Sequence, residues 1–118
     1  MKQVLFAAVA TFVLAGSAFA EGKAAPKQVS VKGEVIDTVC YLTKGAHGPG
    51  HKACAQACIK GGNPASLLSD GKLYMLFADH GNTAAMDQVK AHAGEEVTVT
   101  GEKLNKDGLA AIMVSSVK

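Results

Sequence analysis

From Val29 onward, apolar and polar residues alternate, with Val29, Val31 and Val35 set against Ser30, Lys32, Glu34 and Ile36 and with Gly33 interrupting the apolar series. Period-two alternation predicts a strand with one buried face. VSVKGEVIDTVCYL (29–42) therefore reads as one long strand that brings Cys40 to its end, with Gly33 marking a bulge or sharp bend. A Gly48-Pro49-Gly50 break follows, and then HKACAQACIKGG (51–62), an alanine-rich stretch closed by two glycines and expected to be a helix. ASLLSDGKLYMLFA (65–78) holds two apolar runs around Asp70-Gly71, the pairing that most strongly predicts a tight hairpin. NTAAMDQVKAHAG (82–94) predicts a second helix, capped by Asn82 or Thr83 and stopped by Gly94. Two further strands are expected in 95–118, joined across Asn105-Lys106-Asp107-Gly108.

The predicted order is strand, inserted helix, hairpin, helix, strand, strand. About five strands with a mid-strand glycine and a helix before the last hairpin fit a mainly β fold, a small barrel of the oligonucleotide/oligosaccharide-binding (OB) type. An α+β sandwich with a different strand order is the alternative. The barrel would occupy 29–118 as a single domain with a Cys/His-bearing insertion at 40–62. Upstream, Met1-Lys2-Gln3 gives a basic start, 4–16 is an almost unbroken apolar run, and Ala18-Phe19-Ala20 is a small-x-small cleavage site. Residues 1–20 thus read as a secretory signal peptide cleaved near Ala20, with 21–28 as a flexible leader. The apolar run is shorter than the roughly 20 residues that span a bilayer, so no membrane span is expected in the mature chain. The destination would be the periplasm or the exterior.

Loss of Lys2 with the signal leaves 11 Lys against 10 acidic residues, and the chain contains no Arg. A near-neutral domain without guanidinium groups is poorly equipped to bind phosphate backbones or read base edges, so nucleic acid is not expected as a partner. Beyond the signal the aromatic residues are Tyr41, Tyr74 and Phe77. That is too few for a base-stacking platform.

The chemistry is concentrated in Cys40–Cys58, which holds all three cysteines and two of the four histidines. On a helix, His51, Cys54 and Cys58 stand at i, i+3 and i+7 and project from one face. If the loop 44–50 folds that helix beside Cys40, three sulfurs and one imidazole meet, a Cys3His donor set that suits Zn2+ or Cu+. His47, on the loop, is an alternative to His51. Other outcomes remain open. In an oxidising compartment Cys40 would pair with Cys54 or Cys58 as a structural staple, leaving one thiol over. Cys54 and Cys58 would equally serve as a redox dithiol with Cys40 as resolving partner, or the thiols would be inert. Asp37 reads either as a residue that orients a ligand histidine or as a solvated strand residue. His80 is expected in a turn, His92 near a helix end, and Met75, Met86 and Met113 in the core. No nucleophile elbow, phosphate loop or H-E-x-x-H helix is present, so catalysis is not expected.

Two resemblances add to this. The C-x3-C of Cys54 and Cys58 with a separate histidine resembles the ligand pattern of copper-handling proteins of the periplasm and inner membrane, which implies copper ligand chemistry and nothing further; separately, a Cu+ site would suggest metal carriage or delivery, with another periplasmic protein as partner. More extensively, GEVIDTVCYL and GAHGPGHKACAQACIKGGNPASLLSDGKLYML resemble small secreted bacterial proteins of unassigned function. These carry G-x-V-x-D-x-x-C-Y-L, then H-x-x-C-x-x-x-C, G-x-P and D-G-K-L-Y. The likeness spans about 33–76 and implies an OB-like barrel with a Cys/His site at Cys40, His51, Cys54 and Cys58.

Overall fold

The computed structural model describes residues 27–118. The expected signal peptide and most of the leader lie outside the described residues. Five strands close into a barrel in the spatial order β1-β2-β3-β5-β4, where β1 is Gln28–Asp37, β2 Ala65–Ser69, β3 Lys72–Ala78, β4 Glu96–Lys106 and β5 Leu109–Val117. Three helices accompany them: α1 (Thr38–Lys44), α2 (Lys52–Lys60), which a 3₁₀ turn at Pro49–His51 introduces, and α3 (Thr83–Ala91). All neighbours in the barrel are antiparallel except β3 and β5, whose parallel pairing needs the α3 crossover between β3 and β4. This is the OB-like architecture that the pattern of elements predicts.

Closure depends on β1 serving two partners. Gln28–Glu34 pairs with β4, and Glu34–Asp37 pairs with β2. Gly33 stands just before the exchange, where a Cβ would come within 2.5 Å of the Leu68 carbonyl oxygen. Only a residue without a side chain lets β1 bend over β2 at that point. Gly101 does the same at the bulge in the β4–β5 ladder, with the Met113 carbonyl in its place. Both hairpins turn on a pair of residues in the left-handed region, Asp70-Gly71 (φ 47° and 73°) and Asp107-Gly108 (φ 51° and 85°). This is the type I′ pattern that matches strand twist.

Inside the barrel, Val35, Leu67, Tyr74, Leu76, Val97, Val99, Ile112 and Val114 form the core. Ile59 of α2 and Ala85 and Val89 of α3 close it from the helical side. Asn82 caps α3 by accepting from the Ala85 amide. Gly94 (φ 78°) then passes so close to the start of α2 that a Cβ would meet Lys52 Cα at 2.7 Å. Lys52 Nζ reaches Glu95 Oε1 at 2.7 Å across the same seam, and His92 Nδ1 meets Glu95 Oε2 at 2.8 Å. Lys27 and Gln28, at the end of the expected leader, are already joined to β4.

Candidate metal centre

The strand expected to run to Cys40 stops at Asp37, and Cys40 lies in the first turn of a helix. Asp37 is the cause. Its Oδ1 accepts from the amides of Val39 (2.8 Å) and Cys40 (3.3 Å), capping α1 as a short acceptor at this position does. The buried Thr38 hydroxyl, 2.7 Å from Ser66 Oγ, pins the same turn to β2. Gly45, at φ 65°, ends α1 by donating to the carbonyls of Cys40 and Tyr41. A seven-residue helix held at both ends thus presents Cys40 from a fixed turn.

Opposite, Ala55 and Ile59 turn the inner face of α2 into the barrel end, each 2% exposed. Flanking that face are Cys54 and Cys58 of α2, with His51 in the 3₁₀ turn that precedes it, and they approach Cys40 in two groups, His51 and Cys54 in one and Cys58 with Asp37 in the other. Cys40 Sγ, a His51 ring nitrogen and Cys54 Sγ lie within 4.8 Å of one another. Cys58 Sγ is 3.9 Å from Cys54 Sγ and within 4.8 Å of Cys40 Sγ. A tetrahedral ion with bonds of about 2.3 Å to sulfur holds its sulfurs about 3.8 Å apart, so the Cys54–Cys58 edge is already at ligating separation and the two edges from Cys40 to those sulfurs need contractions of up to about 1 Å, whereas His51 and Cys58 share no group of donors within 4.8 Å. All three cysteines are free thiols, so the disulfide staple that the sequence left as an alternative is not formed here. Cys54 is exposed, while Cys40, His51 and Cys58 are half-buried.

His51 Nε2 is buried and has no hydrogen-bond partner among the described residues. A buried polar nitrogen in that state normally costs free energy, and here it stands beside sulfurs that share an ion's typical donor set. His47 does not join them. Its Nδ1 lies 3.5 Å from Glu34 Oε2, and its ring stands edge-on to Tyr41. His80 lies in an exposed turn, and His92 is committed to Glu95. Met75 is half-buried, with its sulfur accepting from Ser66 Oγ.

Asp37 differs most from expectation. Fully shielded from solvent, it is neither a solvated strand residue nor the partner of a histidine. Instead a carboxylate oxygen lies within 4.8 Å of the sulfurs of Cys40 and Cys58. Burial pushes its carboxyl upward, but donation from Asn63, from the Cys40 amide and from the two thiols outweighs this and holds it below the ordinary carboxylate range. The thiols respond in the opposite sense. Cys58 is pushed up to about 12, first by its hydrogen bond to Asp37 and then by Cys54. Cys40 is raised by burial and then by Asp37. In the metal-free state the cluster therefore keeps protons on Cys40 and Cys58, and a thiophilic cation must displace them. Asp37-Thr38, an acidic cap before a residue that buries its hydroxyl, was the available signal for α1 and for this carboxylate.

Comparison with protein-family models, with curated proteins and with solved structures finds no match.

Proposed function

We propose that this protein is a periplasmic or secreted metal-binding protein that takes one thiophilic ion, Zn2+ or Cu+, on Cys40, His51, Cys54 and Cys58. The observation that carries this is the unpartnered, buried His51 Nε2 in a residue whose ring also stands within 4.8 Å of two cysteine sulfurs. Three thiolates and an imidazole fill a tetrahedral shell and leave no position for a substrate or an activated water, so binding rather than catalysis is the role that fits. None of the four donors belongs to the hydrophobic core, so the barrel closes without the ion, and the ion joins α1 to α2 at its end. With Cys54 exposed, an incoming thiol of a second periplasmic protein can reach the centre, which suits uptake or delivery by ligand exchange.

A second reading, a dithiol that cycles with a disulfide, is favoured by the 3.9 Å approach of Cys54 Sγ to Cys58 Sγ. Mass spectrometry of protein isolated from its own compartment separates the two. A mass increment of one metal ion under native conditions, with three free thiols after denaturation, supports the metal centre. A metal-free protein lighter by about two mass units, the signature of one disulfide, supports the redox cycle and overturns the metal centre.

A further inference from the structure

Asp37 is the one member of the cluster that the Cys3His site leaves without a role. Its carboxylate is 0% exposed and is met by donors alone: the amides of Val39 and Cys40, Asn63 Nδ2 at 3.3 Å from Oδ1 and 3.0 Å from Oδ2, and the thiols of Cys40 and Cys58. A group so surrounded acts as an acceptor and is held as an anion. Yet it has no counter-charge. The ion pairs among the described residues use Glu34, Glu95 and Glu96, and none involves Asp37. Buried charges are ordinarily paired or bound to a metal. The groups that stand beside this one are the sulfurs of Cys40 and Cys58, within 4.8 Å, so a cation held by those sulfurs is the counter-charge the geometry provides for.

We propose that Asp37 is a specificity-determining residue of the metal centre, biasing it toward a divalent ion and against a monovalent one. This rests on the metal-centre reading above and narrows it to Zn2+ and ions of its class. Three thiolates and one carboxylate surround the ion with four negative charges. A divalent ion leaves two of them uncompensated, and a monovalent ion leaves three. At about 5 Å and an effective dielectric of about 20, one unit of charge changes a binding constant by about 300-fold, and the exposure of Cys54 reduces this to about 10- to 100-fold.

The test compares Asp37→Asn and Asp37→Ser with the wild-type chain. Both replacements keep an N-cap acceptor for α1 while removing the charge. Affinity for Zn2+ is measured by competition with a chromogenic zinc chelator, and affinity for Cu+ by competition with bathocuproine disulfonate, in fully reduced protein without oxygen. The expected result is a 10- to 100-fold fall in the ratio of Zn2+ to Cu+ affinity in both variants, with helical circular dichroism retained. An unchanged ratio in a folded variant overturns the proposal while leaving the metal centre standing. Loss of the fold in both variants also overturns it, because the charge then serves the helix cap. A wild-type chain that binds neither ion overturns the metal centre and this inference together.

Discussion

Cys54→Ser isolates the metal's contribution to stability, because Cys54 is the exposed cysteine and its sulfur supports no part of the core. In metal-free protein the substitution should change stability by no more than about 0.5 kcal/mol, as exposed replacements usually do. With metal the two proteins should diverge. At a free ion concentration of about 100 times the wild-type Kd, binding stabilises the fold by about 2.7 kcal/mol. In a domain of this size about 1 kcal/mol moves Tm by about 4 to 8 °C, so loading raises wild-type Tm by about 11 to 22 °C. Loss of a direct thiolate donor should weaken affinity at least as much as loss of an outer-shell partner does, about 100-fold. At the same ion concentration the variant then gains only about 0.4 kcal/mol. Differential scanning calorimetry with and without a chelator reads the difference directly. Equal gains on metal addition in the two proteins, or a wild-type Tm indifferent to chelator, would refute the assignment of Cys54 as a ligand.

The barrel and the helix seam give further expectations. Gly33→Ala drives a methyl against the Leu68 carbonyl and should destabilise by about 1 to 3 kcal/mol in urea unfolding, whereas Gly81→Ala, with open space around its Cβ, should be near neutral. Glu95 is held at about 2, first by Lys52 and then by His92. A carboxylate with a depressed folded pKa contributes stability that is full above its ordinary value near 4.5 and disappears as pH falls through about 2, so Tm should decline across that window and Glu95→Gln should flatten the decline. Raised thiol pKa values at Cys40 and Cys58 mean that loading releases protons. Calorimetry in buffers of different ionisation enthalpy should count about two or more protons per Zn2+ at neutral pH, and an apparent affinity that rises with pH; a buffer-independent heat would contradict it.

The strands, α2, α3 and both hairpins were legible because their signals are local. Asp70-Gly71 and Asp107-Gly108 dictate their own turns, Asn82 supplies a cap, and Cys54 and Cys58 stand one turn apart on α2 with their sulfurs 3.9 Å from each other. The first helix was hidden because Val39 and Tyr41 continue the apolar alternation of β1, and a β-branched or aromatic residue carries no mark of the helix it enters. What overrides the pattern is Asp37, whose carboxylate seizes two amides at once, with Asn63 arriving from beyond α2 to hold it. That second contact spans 26 residues, and nothing in the local sequence announces it. The burial of Asp37 was masked by its charge: alternation puts it in the apolar series between Val35 and Val39, a carboxylate there reads as solvated, and the strand end it occupies is in fact buried on both faces with Val35 and Ile36.

X-ray absorption at the zinc K-edge of stoichiometrically loaded protein tests the convergence of α1 and α2 on one ion most directly. Three sulfurs at about 2.3 Å and one nitrogen at about 2.0 Å are the predicted first shell. A shell of oxygen and nitrogen alone would place the metal elsewhere on the chain and contradict the Cys40, His51, Cys54 and Cys58 centre.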